Sequence, residues 1–306
     1  MSEIDAVRLN FSAQNLWLLN VTLGVIMFGV ALNLTTEDFK RLVRHPRPAL
    51  IGVCSQFLLL PAVTFLLVWV LEPRPSIALG MILVAACPGG NISNFMSLNA
   101  GGNTALSVTL TAVATAGAIV LTPLNLSFWG GLYPPTATLL TTVDVSFWRV
   151  FTTVGLILGL PLVLGMSVRR MAPERARRLS RWMQGLSILL FAGIVLFALR
   201  ANFQYLVGYV GVVFDLVLIH NAVALAAGYQ LAYWTRLPLK DRQTLALETG
   251  IQNSGLGLVL IFNFFDGLGG MAVVAAWWGV WHIVSGLALS FYWRSQPVPL
   301  VSPQQP

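Results

Sequence analysis

Charge is what this chain has least of. Asp, Glu, Lys and Arg make up 9% of its 306 residues, where a soluble domain carries roughly 25%. With 57% hydrophobic residues besides, the scarcity excludes a water-soluble globule. Cysteine is nearly absent too. Cys54 and Cys87 both fall in apolar stretches, which excludes a disulfide scaffold and a cysteine-based metal motif. Each is expected to be a free, small hydrophobe. No nucleophile motif, HExxH or P-loop occurs, so an enzyme has no support. The formal net charge of +7 is no nucleic-acid footprint, because the basic residues fill short loops beside apolar runs rather than a continuous groove.

Long apolar runs are what the chain has instead. Nine stretches of about 17 to 29 residues approach the roughly 20 that span a bilayer as helix. They lie near Leu16–Leu34, Pro48–Leu71, Ser76–Leu98, Ala105–Leu126, Phe147–Val168, Met183–Leu199, Leu206–Trp234, Leu245–Phe265 and Met271–Trp293. The pattern predicts an all-α polytopic membrane protein with nine transmembrane helices. The loops Thr35–Arg47, Arg169–Arg181 and Thr235–Arg242 hold most of the Lys and Arg, and Arg294 follows the last span. The opposite side holds Arg8, Arg74, Arg149 and Arg200. Since cytoplasmic loops carry the positive excess, the N-terminus is expected outside and the C-terminus inside. An odd number of spans requires the same result. The basic loops can also touch anionic lipid. The first 15 residues are polar and show no cleavable presequence, which points to a bacterial inner membrane.

Two of the spans are interrupted. The third carries Cys87-Pro88-Gly89-Gly90-Asn91-Ile92-Ser93-Asn94, and the eighth carries polar residues and glycines from Glu248 to Gly257. In both, glycine precedes a short polar cluster, and one uninterrupted span follows. Corresponding breaks in two halves point to inverted repeats and to a transporter binding site. The expected layout is a four-span repeat over 1–129 with its break at 87–95, and an extracellular connection over 130–146. A five-span repeat over 147–294 follows, with its break at 248–257. The proline- and glutamine-bearing tail 295–306 is expected to be disordered. If the ancestral unit had five spans, the first is missing here.

Glu248 is the most telling residue. An unpaired acid within a span costs about 2.5–3.5 kcal/mol on insertion scales, so something must compensate it. A Glu near the span end could reach water or pair with Arg242. The adjacent Gln252 and Asn253 favour a hard-cation site built of carboxylate, amide and carbonyl oxygens. Ser107 and Thr111 are spaced to share one helix face, beside Ser93 and Asn94 of the first break. Left alone, such hydroxyls bond their own helix carbonyls. Gln56 sits mid-span, where interhelical bonding is the plainer account. No Lys or Arg lies in the interior of a span, so an anion would be held by the N-terminal ends of the second half-helices near Ser93 and Ser254. Asp215, His220 and Asn221 could form a proton relay but show no partner. His282 among Trp277, Trp278 and Trp281 is expected to pack, and Gly155 with Gly159 is expected to serve helix packing.

At these residues the chain resembles the bile acid:sodium symporter family. Cys87-Pro88-Gly89-Gly90, Ser93-Asn94, then Ala105-Leu106-Ser107-Val108 and Thr111 look like its first signature block. Glu248 with Gly250, Gln252 and Asn253 is similar to its second. The resemblance implies ten helices as two inverted repeats, here without the first, with a panel domain and a core domain of crossed broken helices. It implies one Na⁺ site from Ser93, Asn94, Ser107, Thr111 and Glu248. A second would use Gln56, Glu248, Gln252 and the carbonyls of Thr249 and Ile251. Asn91, Asn253 and Ser254 would face the substrate, although many members have Thr at the position of Asn91. The implied activity is sodium-coupled symport of an organic anion. Bile acids, small keto or hydroxy acids and sulfonates all remain candidates. Competing readings are a proton-coupled carrier in which Glu248 titrates, an efflux permease with Cys87 as thiol ligand, and a non-transporting receptor.

Overall fold

The computed structural model describes residues 3–6, 8, 13–142, 146–201 and 203–296. Among them every element is helical, and extended pairing is confined to two isolated bridges, Arg8 with Leu268 and Gly89 with Gln252. After a helical turn at Glu3–Ala6 come α1 (Ala13–Ala31), α2 (Thr36–Arg44) and α3 (Pro46–Leu71). Next are α4 (Pro75–Ala86), α5 (Ile92–Asn99), α6 (Thr104–Leu132) and α7 (Pro134–Thr142). The remainder is α8 (Phe147–Met171), α9 (Pro173–Ala201), α10 (Phe203–Trp234), α11 (Leu239–Gly250), α12 (Ser254–Phe264) and α13 (Gly269–Ser295). Five helices are individually long and apolar enough to cross a bilayer: α3, α6, α8, α10 over Val213–Trp234, and α13. At ~1.5 Å rise per residue each exceeds the ~30 Å hydrocarbon core.

The two interruptions are narrower than the sequence implied. The first spans Cys87–Asn91 and the second only Ile251–Asn253. Glu248 and Gly250 remain helical, and α12 restarts at once because the Asn253 side chain accepts the Leu256 N–H at 3.0 Å. Three stretches expected as loop are helix. Thr35 and Asp38 form a reciprocal capping box that starts α2. α9 begins at Pro173, well before Met183, because proline and Glu174 suit a first helical turn. The connection after Gly130 is largely α7. The expected disordered tail lies outside the described residues beyond Gln296.

α4 is the centre of the molecule. Every residue from Ser76 to Ala86 is buried, and α3, α6 and α13 pack around it. A Cβ on Gly80 would come within 2.8 Å of the Met271 main chain, so glycine sets the α4–α13 distance. Asp5 Oδ1 accepts the Ser76 N–H at 3.0 Å and covers the start of α4. α1, α8 and α9 pack on one another as a group that touches the rest chiefly through α6 and α12, and through α9 with α10.

Candidate cation site at the helix crossing

The two breaks meet. Gly90 N–H donates to the Ile251 carbonyl and Asn253 N–H to the Pro88 carbonyl, both at 2.8 Å. These bonds bracket the Gly89–Gln252 bridge and satisfy backbone groups that a broken helix would otherwise strand away from water.

α6 and α11 lie beside this crossing with their polar positions in step. The Asn103 side chain caps α6 by accepting the Leu106 N–H at 3.1 Å. Its amide donates to Asp241 Oδ1 and its own N–H to Thr244 Oγ1, each at 2.8 Å. Four residues further along both helices, Ser107 Oγ donates to Glu248 Oε1. One turn on, Thr111 Oγ1 donates to Glu248 Oε2 at 3.2 Å. From the first turn of α5, Ser93 Oγ donates to Glu248 Oε1 at 2.5 Å. Asn94 Oδ1 faces Ser107 Oγ at 2.8 Å and Thr111 Oγ1 at 3.3 Å.

Ser93, Asn94, Ser107, Thr111 and Glu248 thus come together, and their oxygens outnumber their hydrogens. The Ser107 and Thr111 hydroxyls have one proton each, yet each faces both Asn94 and Glu248. Glu248 is only 5% exposed. Glu37 pairs with Lys40 and Arg44, and Glu174 with Arg177; Glu248 is in none of these ion pairs. Arg242 is committed elsewhere: its Nε donates to the Leu237 carbonyl at 2.6 Å, and it lies 4.8 Å over the Tyr233 ring. A buried acid among surplus acceptors, with no described basic side chain paired to it, has the chemistry of a cation site.

A second group adjoins the first. Gln56 sits in a π-helical turn, Ser55–Leu59. Pro61 has no N–H for the Phe57 carbonyl, and Leu60 N–H bonds back to Ser55 instead. Gln56 Nε2 donates to Gln252 Oε1 at 2.7 Å and to the Cys87 carbonyl at 3.1 Å. Gln252 Nε2 donates to the Thr249 carbonyl at 2.7 Å. A Cβ on Gly89 would lie 3.4 Å from both Oε2 and the carbonyl of Glu248, and 3.7 Å from Gln56 Oε1. Three oxygens therefore converge where glycine leaves room. The Ile251 carbonyl, expected to join them, accepts the Gly90 N–H.

No described hydrogen bond joins Asn91, Asn253 or Ser254 to Glu248. Asn91 starts α5 without a side-chain capping bond. The Asn253 amide lies 3.9 Å from Met27 Sδ of α1, and Ser254 is buried. Asp215 is exposed whereas His220 is buried, and His220 and Asn221 bond to Thr64 and to the Gly250 carbonyl; His282 is buried. The Cys87 thiol lies 3.8 Å from where a Cβ on Gly257 would be. Asn103, Asp241, Thr244 and Ser55, whose Oγ is 2.7 Å from Thr249 Oγ1, escaped sequence reasoning. The four-residue spacing of 103, 107 and 111 against 244 and 248 was the signal available.

An apolar all-helical chain whose two broken helices meet around a buried carboxylate is, by class, a membrane transporter. Residues 20–209 match the Sodium Bile acid symporter family. The chain is 34% identical over 278 residues to the "Uncharacterized sodium-dependent transporter YocS" of Bacillus subtilis (strain 168), which spans 91% of this chain and 83% of that one. It is 30% identical to the "Probable sodium/metabolite cotransporter BASS2, chloroplastic" of Oryza sativa subsp. japonica, over 92% of this chain and 65% of that one. It is 31% identical to the human "Sodium/bile acid cotransporter 4", over 77% of this chain and 54% of that one. The chain belongs to the sodium bile acid symporter family and is a transporter, not an enzyme.

Proposed function

We propose that this chain is a secondary active transporter that uses the sodium gradient to import an organic anion by alternating access. The observation that carries this is the buried Glu248, set among more acceptor oxygens than there are protons to share. One Na⁺ would be held by Ser93, Asn94, Ser107, Thr111 and Glu248, with the hydroxyls rotating to offer lone pairs. A second would lie toward Gly89 with Gln56, Glu248, Gln252 and the Thr249 and Ile251 carbonyls. The donors are all oxygen, which suits a hard cation rather than a thiophilic metal. Two such ions against one carboxylate leave about +1, which a substrate anion balances. That anion would meet the N-terminal ends of α5 and α12, where Asn91, Asn253 and Ser254 lie. The names of the relatives support sodium coupling.

Nine spans follow if α4 with α5, and α11 with α12, each cross as one broken helix: two inverted repeats without the first helix. α1, α8 and α9 would form the panel and the remaining spans the core. Na⁺ ties α5, α6 and α11 together through Glu248, and so favours whichever state has those three in place. The basic loops set the N-terminus outside and the C-terminus in the cytoplasm of a bacterial inner membrane.

The test is uptake by sealed proteoliposomes of a radiolabelled bile acid, keto acid and sulfonate under a Na⁺ gradient, with a pH gradient as control. Uptake is expected with Na⁺ and lost in Glu248→Ala. Uptake driven by the pH gradient alone would instead make Glu248 the titrating group of a proton-coupled carrier.

A further inference from the structure

We propose that Asn221 is a positioning residue of the cation site, holding the end of α11 where Glu248 and its neighbouring carbonyls reach the ions. This rests on the sodium site proposed above and extends it to a residue that touches no ion.

Asn221 is fully buried on α10. Its Nδ2 donates at 2.8 Å to the carbonyl of Gly250, the last residue of α11 and two beyond Glu248. The final carbonyls of a helix have no partner within it, and inside a membrane water does not supply one. The amide is itself held, because Ser285 Oγ of α13 donates to Asn221 Oδ1 at 2.5 Å. The preceding residue, His220, is fixed through Nε2 to Thr64 Oγ1 of α3 at 2.7 Å and packs 4.7 Å from the Trp278 ring. α10 and α11 have no slack between them. A Cβ on Gly228 would fall 2.6 Å from the Leu245 carbonyl and 2.7 Å from Thr249 Oγ1, and one on Gly250 would overlap the Leu225 side chain.

The first half of the chain contains the same device. Gln56 on α3 donates to the Cys87 carbonyl, just past the end of α4 and 31 residues ahead. Asn221 on α10 donates 29 residues ahead, to the end of α11. Each break is therefore held by an amide from the helix preceding it. Gln56, longer by one methylene, also reaches Gln252 and joins the oxygen cluster. Asn221 stops at the carbonyl, which makes it a holder and not a ligand.

The experiment is a Na⁺ titration of the purified full chain at constant ionic strength with choline, read as the Na⁺-dependent rise in Tm without substrate. Asn221→Leu keeps the branching and the number of side-chain heavy atoms but lacks the donor. It is expected to raise the half-saturating Na⁺ about tenfold, which is ~1.4 kcal/mol. Ser285→Ala, which frees the amide, is expected to raise it about threefold, and it decides the matter should Asn221→Leu not fold. A lowered Tm without Na⁺ but half-saturation within about twofold of the parent would make Asn221 merely structural and overturn the proposal. Glu248→Ala separates the two levels. If it keeps the Na⁺ response, the cation site itself falls and this inference with it. If it loses the response while the Asn221 and Ser285 variants match the parent, only the role of Asn221 falls.

Discussion

Glu248 takes its character from its neighbours. Ser93, Ser107 and Thr111 all turn hydroxyls toward it, and no described Lys or Arg pairs with it. Removing one hydroxyl takes away a proposed cation ligand while leaving the carboxylate buried. Ser107→Ala is expected to raise the Na⁺ concentration for half-maximal uptake about tenfold, a loss comparable to one hydrogen bond to a charged group. Thr111→Ala should cost less, because its contacts to Asn94 and Glu248 are longer, at 3.3 and 3.2 Å. Gly155→Ala should change nothing, since the added Cβ would stand 3.6 Å from Ile119 Cγ2, an ordinary contact. Uptake measured against Na⁺ concentration checks all three. Equal losses would mean general destabilisation in place of a lost ligand.

Both breaks could be located from glycine followed by polar residues, and Ser107 with Thr111 from their four-residue spacing, because lipid makes every such departure conspicuous. The length of the breaks was hidden: Asn253 caps α12 so promptly that only Ile251–Asn253 leaves the helix. The π turn at Gln56 and the Ser55–Thr249 contact were hidden too, since they depend on which helices cross. A further element-level contact joins the α1, α8 and α9 group to α12. Asn20 and Asn263 donate to each other's side-chain oxygens at 3.2 and 2.9 Å, and Arg149 lies 5.8 Å over the Phe264 ring. Under alternating access these contacts must part once in each cycle. Asn263→Ala removes about 1 kcal/mol of interhelical bonding and should enrich the open state on that side about fivefold. Labelling by an impermeant maleimide of Leu23→Cys, in a chain lacking Cys54 and Cys87, measures this; Leu23 is only 4% exposed. An unchanged labelling rate would mean that the asparagine pair does not govern opening.

For the molecule as a whole, the decisive quantity is charge moved per cycle. The proposed site contains one carboxylate and no basic side chain, so its charge balance is set by the ions and the substrate. Two Na⁺ and one monovalent anion carry about +1 inward. An inside-negative potential then adds to the driving force by ~2.3 kcal/mol per 100 mV for each elementary charge. At ~1.36 kcal/mol per factor of ten, that amounts to about fifty times more substrate inside at equilibrium. The measurement imposes a potassium diffusion potential with valinomycin on proteoliposomes holding a fixed Na⁺ gradient and follows accumulation of a monovalent organic acid that the chain transports. Accumulation that rises with the potential supports two coupling ions. Accumulation indifferent to it would mean one Na⁺ per anion. The oxygens of Gln56, Gln252 and Glu248 around Gly89 would then join the two breaks without holding an ion, and the first cluster alone would do the coupling.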